Sequence, residues 1–310
     1  MQSVLEQDYQ QMEYIVVDGG STDGSVDTIR MYADRLAWWV SERDRGQGEA
    51  INKGMAHARG EIVAWLNSDD LYLPGAVSQA VDVFQTHPDV GLVYGNAVTI
   101  DTHGVPLNIL SFGDWEWRDL LGFRIICQPA VFMRRELFER AGGMSEGYHF
   151  MLDHHLWLRI ASQASIYHIP DILAAARHHQ NAKNVSHAEG FAQETGRVLG
   201  FIRQKFTDRI ATQDWRFIEG GALRLQGRYY LDGGKPGKAL AAYRDAFLRR
   251  PLYTLQHAHR ILYAGLSLAG IQHRLDGIQR SRSGEFKQRA ALTVRARLEK
   301  FHCATWVGIK

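Results

Sequence analysis

The sequence predicts an α/β domain over residues 1–184, built on a doubly wound, mostly parallel sheet, and an α-helical region over residues 185–310. Three observations predict this. Through the first half, short apolar runs alternate with segments of helical period, the pattern that sets crossover helices between parallel strands. After Ser186 the strand signals stop. The charge divides at the same place. Residues 1–184 carry 14 Lys and Arg against 24 Asp and Glu, a net −10, and residues 185–310 carry 22 against 10, a net +12. The balance of +2 over the 310 residues conceals this division.

The elements follow in order. Tyr14-Ile-Val-Val17 is an apolar run closed by Asp18-Gly-Gly-Ser21, which predicts a buried strand ending in a polar turn. Residues 24–36 have helical spacing, with Val26, Ile29, Arg30 and Ala33 on one side. Residues 37–40 read as a second strand, 47–58 as a helix, and 61–66 as a third strand ending at Asn67-Ser-Asp-Asp70. Pro74 sits at the first turn of a helix that runs to Phe84. Residues 91–94 read as a fourth strand. In the second half, residues 191–206, 215–231, 235–249 and 252–268 read as helices, punctuated by Gly233-Gly234 and Arg250-Pro251. Residues 237–247 have the pattern of the second helix of a tetratricopeptide unit, in a single copy where that architecture stacks several. The Arg/Lys-rich segment after Gly270 predicts one more helix.

Composition removes several classes. Hydrophobic residues at 45% and charged residues at 23% are those of a globular chain, against a disordered or fibrous one. Two distant cysteines, Cys127 and Cys303, supply neither a disulfide framework nor a CxxC pair, which predicts a reducing compartment. The first residues are polar and acidic, unlike a signal peptide. The longest weakly polar stretch, residues 261–271, is about half a membrane span. The expectation is a cytoplasmic chain, soluble or peripheral at the inner face of a membrane, its basic half suited to anionic lipid or simply solvated. The basic tail lacks aromatic interleaving and any nucleic-acid-binding fold, so no nucleic-acid partner is expected. Gly46-Gln-Gly48 lacks the third Gly of a dinucleotide fingerprint, and no phosphate loop or nucleophile elbow is present.

In open α/β sheets ligands gather at the carboxyl ends of strands. Two acidic clusters fall there: Asp18 after the first strand, and Asp69 with Asp70 after the third. Paired carboxylates beside a charged ligand suit Mg²⁺ or Mn²⁺, hard cations that take oxygen ligands and share them with phosphates. Taken singly, Asp18 could equally cap the next helix and Asp69-Asp70 form a polar turn.

Taken together, these clusters belong to a longer series. Val16-Val-Asp-Gly-Gly-Ser-Thr-Asp-Gly24, Asp44-Arg-Gly46, Ala50-Ile-Asn-Lys-Gly54, Ala58-Arg-Gly-Glu61 and Leu66-Asn-Ser-Asp-Asp70 come first. Gln128-Pro-Ala-Val-Phe132, Ala141-Gly-Gly143, Met151-Leu-Asp-His-His-Leu-Trp-Leu-Arg159 and Arg177-His-His179 follow. In order and spacing the series resembles family 2 of the glycosyltransferases over roughly residues 1–184. The resemblance implies a GT-A fold, a nucleotide-diphospho-sugar donor, a divalent cation (Mg or Mn), a glycan or lipid-linked acceptor of the kind used in cell-envelope polysaccharide synthesis, and inversion at the anomeric carbon. It assigns Asp18, Gly20, Ser21, Asp44, Asn52, Lys53, Asn67 and Asp69 to the donor. Asp69 and Asp70 correspond to the DXD-type motif, with His179 as a further group at the metal or diphosphate; a His-rich surface loop is the competing reading of His179. Asn67 stands where many members have Asp, which leaves metal holding to the following pair. Asp153 matches the general base that takes the acceptor's hydroxyl proton. His155, where a second Asp is common, could tune that base. Trp115, Trp117 and Gln128 are candidates for the acceptor side, with core packing as the alternative for the two tryptophans. Members of the family begin with a strand and a helix, and Ser3–Tyr9 resembles the tail of that helix, so the resemblance also implies a sheet without its first strand. A second reading stays open: a catalytically weak homologue acting as a binding or assembly module through its basic helical half.

Overall fold

The apolar run ending at Asp18 is strand β1 (Ile15–Asp18) in a computed structural model that describes residues 1–178 and 187–271 together with Val294. It follows a short helix, α1 (Gln2–Leu5), and pairs in parallel with β2 (Trp38–Ser41), α2 (Ser25–Met31) crossing between them. The register sets Asp18 opposite Ser41, so two polar side chains share the carboxyl end of this small sheet.

The chain continues through α3 (Gln47–His57), β3 (Ile62–Val63), β4 (Leu71–Tyr72), α4 (Ala76–Thr86), β5 (Val90–Ile100) and β6 (Pro106–Leu110). After α5 (Trp117–Leu121) come β7 (Val131–Arg134), α6 (Arg135–Arg140), α7 (Leu152–Ala161) and β8 (Ser165–Arg177). A second sheet has the order β3-β7-β5-β8-β4, with β6 also on β5. The α/β reading is right, but the pairing is mixed, where the sequence suggested a mostly parallel sheet. β5 and β8 run parallel, whereas β7 and β6 lie antiparallel to β5 and β4 antiparallel to β8. A tight turn explains part of this. Asp101 accepts the backbone N–H groups of His103 and Val105 through its carboxylate, so β5 returns directly as β6, a connection only antiparallel strands can have. β3 is also shorter than the predicted strand, because the Trp65 carbonyl is taken by the Gln128 side chain at 2.7 Å.

The core lies between α4 and this sheet. Ala76, Val77, Ala80, Val81 and Phe84 recur at helical spacing and are buried against Val93, Ala97, Phe132 and Leu173.

The described residues form two compact units. One comprises Met1–Trp115 and Ile126–Arg177; Glu116–Ile125 belongs with the helical unit beyond, a transfer the sequence did not signal. That unit holds α8 (Ala188–Phe206), α9 (Trp215–Asp232), α10 (Pro236–Arg249), α11 (Pro251–Leu255) and α12 (Ala258–Leu268). The last two stand where one helix was expected. Gly221 on α9 lies so close to the Gly122 carbonyl that a Cβ there would sit 2.0 Å from the oxygen, and Arg224 donates to the Phe123 carbonyl at 3.0 Å. The helix expected after Gly270 falls outside the described residues, Val294 apart. Among those described, no helix is long and apolar enough to cross a membrane.

Candidate active site

Asp18 is buried and serves as a hub. One carboxylate oxygen accepts from Ser41 Oγ at 2.6 Å and from the backbone N–H groups of Gly20 and Ser21 at 3.1 and 2.9 Å; the other accepts from Ser21 Oγ at 2.5 Å. Burial works to raise this carboxyl, but these bonds outweigh it and hold it below the ordinary carboxylate range. The two glycines after it are required by geometry. Gly20 has φ +86°, and a Cβ on Gly19 would lie 2.6 Å from the Asp44 carboxylate. Asp44 in turn accepts from the Gly46 N–H at 2.8 Å, at the start of α3.

The next residue, Gln47, carries the network onward. Its Nε2 donates to Asn67 Oδ1 at 2.6 Å, and Asn67 Nδ2 donates to Asp70 Oδ2 at 3.2 Å and to Gln128 Oε1 at 3.1 Å. Both ends of the Asn67 amide are therefore engaged by protein groups. The β4–β8 ladder brings Arg177 beside Asp70: the Arg177 N–H donates to Asp70 Oδ1 at 2.9 Å, and its guanidinium donates to the Asp69 and Asp101 carbonyls at 3.0 and 2.7 Å. Burial, and then the neighbouring Asp69 charge, push the Asp70 carboxyl up to about 6. Two adjacent carboxylates, one of them costly to ionise, are a hard-oxygen donor pair that a Mg²⁺ or Mn²⁺ ion would suit. Among the described residues, no group of three or more His, Cys, Asp or Glu is arranged to hold a metal.

Asp153 stands in the first turn of α7, where the helix N-terminus favours negative charge; the N-cap is Met151. The Asp153 and Asp70 carboxylates both act on the half-buried Cys127 thiol, which loss of solvent first and then these two charges push up to about 12. One turn beyond Asp153, Trp157 stacks on Trp65 with ring centroids 5.1 Å apart, joining α7 to the stretch that leads into Asn67. Trp157 is 1% exposed. Trp157→Ala is expected to cost about 3–5 kcal/mol in stability by chemical denaturation. It should also lower the catalytic rate more than donor affinity, because the helix bearing Asp153 loses its anchor. His155 lies two positions on, about 200° around the helix, and stacks on Tyr148 at 4.3 Å.

Other expected residues are used differently. Asn52 clamps the Met144 backbone, donating to its carbonyl at 2.9 Å and accepting its N–H at 2.7 Å. Lys53 pairs with Glu42 at 2.7 Å. Trp117 belongs to the helical unit, edge-on to Phe206 at 5.3 Å and under Arg209. Trp115 belongs to the other unit, on a loop fixed by Tyr94: the Tyr94 hydroxyl donates to the Gly113 carbonyl at 2.6 Å and accepts the Trp115 N–H at 2.8 Å. Tyr94→Phe removes both bonds and is expected to cost about 1–3 kcal/mol by denaturation. His179 lies outside the described residues. Ser41, Gln47 and Arg177 are the members of the network that received no role from the sequence. A polar residue ending β2 opposite Asp18 is the one signal that could have found Ser41.

Residues 1–141 match the family described as glycosyl transferase family 2. The match covers the first 141 of the 310 residues. An uncharacterized glycosyltransferase of Rickettsia typhi is 26% identical to this chain over 233 residues, 70% of this chain and 69% of the relative. Another, of Nostoc sp., is 39% identical over 108 residues, 32% of this chain and 34% of the relative. A PGL/p-HBAD biosynthesis glycosyltransferase of Mycobacterium tuberculosis is 30% identical over 170 residues, 54% of this chain and 64% of the relative. The chain spans about a third of the length of several curated relatives it matches. Two solved structures share the fold. S. aureus TarS 1–349 in complex with UDP-GlcNAc has a TM-score of 0.53 at 16% identity, covering 87% of each chain. Mannosyltransferase PcManGT from Pyrobaculum calidifontis, in complex with GDP-Man and Mn²⁺, has a TM-score of 0.54 at 23% identity, covering 88% of this chain and 79% of that one. The architecture of the chain is accordingly of GT-A type.

Proposed function

We propose that this chain is a family 2 glycosyltransferase that transfers a sugar from a nucleotide diphosphate donor to a hydroxyl of a glycan or lipid-linked acceptor, inverting the anomeric centre. The observation that carries the reading is the hydrogen-bonded series that runs from Gln47, at the start of α3, through Asn67 to Asp70 of the Asp69–Asp70 pair. The donors held by TarS and by the mannosyltransferase support a nucleotide sugar as substrate, and the Mn²⁺ of the latter supports a divalent cation.

In this reading Asp18, with Gly20 and Ser21, receives the nucleoside. Asp69 and Asp70 would hold the metal. When bound, the cation neutralises charge on the departing nucleoside diphosphate. Arg177 keeps the Asp69–Asp70 loop in place, and Gln47 and Gln128 orient the Asn67 amide that meets Asp70. Gln128 is thus a positioning residue here, in place of an acceptor contact. Asp153 takes the acceptor's hydroxyl proton as that oxygen attacks the face opposite the leaving group. Trp115 offers the acceptor an aromatic face.

The test is release of nucleoside diphosphate from a panel of nucleotide sugars, with and without Mn²⁺, and proton NMR of the product anomer. Mn²⁺-dependent release with an inverted anomer supports the reading. A retained anomer contradicts the role given to Asp153, and absence of release from every donor favours the binding-module alternative.

A further inference from the structure

Residues 112–115 follow β6, and each of them in turn is tied to the sheet. The Phe112 N–H donates to Asn96 Oδ1 at 2.8 Å, and the Gly113 carbonyl accepts from the Tyr94 hydroxyl. Asp114 Oδ1 lies 3.2 Å from His168 Nδ1, and the Trp115 N–H donates to that same Tyr94 hydroxyl. The anchors come from two adjacent parallel strands. Tyr94 and Asn96 are on β5 and His168 is on β8; the register sets His168 opposite Tyr94, and the two rings stack at 5.1 Å. A bulge follows at once, with Gly95 opposite Ile169 but Asn96 opposite Ile172. Asn96 Nδ2 reaches the bulged Pro170 carbonyl at 2.6 Å. The Asn96 amide is therefore oriented from both ends, its nitrogen by Pro170 and its oxygen by Phe112.

Tyr and Asn keep one protonation state near neutral pH, whereas a histidine changes its own. Both ring nitrogens of His168 face acceptors. Nε2 lies 3.0 Å from the fixed Asn96 oxygen, and Nδ1 faces the Asp114 carboxylate. A neutral imidazole has one N–H and the imidazolium two, so only the doubly protonated ring serves both contacts. The groups that face this ring are Tyr94 and Asn96 from β5 and Asp114 from the loop, and Asp114 is the charged one. The His168 side chain is 6% exposed and that of Asp114 96% exposed. When one proton leaves, the ring therefore keeps the one that serves buried Asn96, and water receives the carboxylate. A bare Nδ1 then meets Asp114 acceptor to acceptor. We propose that His168 is a positioning residue for the loop that carries Trp115: doubly protonated it holds Asp114 to the sheet, and singly protonated it releases Asp114 and loosens the loop. The Trp115 ring, edge-on to Phe112 at 5.4 Å, moves with it. The reading of Trp115 as an acceptor contact is needed only for the consequence, acceptor affinity that falls as pH rises; the latch itself does not rest on it.

The experiment is fluorine NMR of the full chain labelled with 5-fluorotryptophan, with the Trp115 resonance assigned through Trp115→Phe. Spectra are taken between about pH 5 and 8, the range in which histidine changes charge. The parent is compared with His168→Gln and with Asp114→Asn, whose exposed site keeps the test open if His168→Gln folds poorly. The expected result is a one-proton movement of the Trp115 resonance in the parent and none in His168→Gln. In Asp114→Asn, which exchanges a charge-assisted bond for a neutral one, the movement should shrink by about half or more. A Trp115 resonance that stays still in the parent overturns the proposal. So does a movement of full size in either variant, which would take His168 or Asp114 out of the contact. The readout needs no sugar transfer. A titrating loop in a chain that releases no nucleoside diphosphate from any donor would support the latch and remove the acceptor role of Trp115.

Discussion

Asp153→Asn is expected to lower kcat by about 10²–10⁴-fold, the usual range for a general base, while leaving nucleotide binding unchanged. The substitution preserves shape and removes the ability to take a proton. Asp153 lies on α7, whereas the proposed nucleoside contacts lie at the end of β1, so its loss should affect kcat and spare the dissociation constant of the nucleoside diphosphate. The helix itself should persist. Its packing rests on Leu156, Trp157 and Leu158, all buried. The check is steady-state kinetics beside calorimetric titration of the nucleotide. A variant that binds nucleotide less well by the same factor as its rate falls would place Asp153 in binding and not in proton transfer.

Asp70→Asn is expected to do the opposite to stability and function. The carboxyl is raised from 3.8 to about 6, so between these values the folded chain keeps a proton that the unfolded chain has released. Stability therefore falls as pH rises through that window, and the whole penalty is present above about pH 6. Roughly two units correspond to about 3 kcal/mol. The amide escapes this penalty but cannot accept from Asn67 as the carboxylate does, a loss of about 1 kcal/mol. Metal-free Asp70→Asn should thus be more stable than the parent by about 1–2 kcal/mol at neutral pH, with little difference at pH 4. The same change should abolish any Mn²⁺-dependent stabilisation, because half of the carboxylate pair has lost its charge. Thermal melts at the two pH values, with and without Mn²⁺, read both effects. Greater stability with an intact Mn²⁺ response would remove Asp70 from the metal site.

Much of this was legible in residues. The apolar run closed by Asp18 located the end of β1, where ligands meet a sheet, whereas the run before Asn67 located β3 but not its end, which falls at Val63. The helices after residue 187 followed from period and from Gly and Pro punctuation. What stayed hidden depended on pairing and on tertiary contacts. The antiparallel return of β6 and β7 is set by the Asp101 turn and by neighbours distant in sequence, neither of which alternation of strand and helix reports. Asn52 and Gln128 look like ligand contacts in a motif, yet their amides bind Met144, Asn67 and Trp65. An amide has the same hydrogen-bonding capacity toward a ribose and toward a peptide group, so composition cannot separate the two. Arg177 is the reverse case: a motif residue whose importance lies in three bonds spanning more than seventy residues of sequence.

The central claim is that the hub at Asp18 and the Asp69–Asp70 pair form one site for a nucleoside diphosphate and a divalent cation. The most direct measurement is thermal unfolding of the chain with UDP, GDP, dTDP and CDP, each with and without Mn²⁺, beside the variant Asp18→Ala. A ligand at about 100 times its dissociation constant adds roughly 2.7 kcal/mol. The account predicts a Mn²⁺-dependent rise in Tm with one of the four nucleotides that Asp18→Ala removes. No rise with any of them, or a rise indifferent to Mn²⁺ and to Asp18, would contradict it.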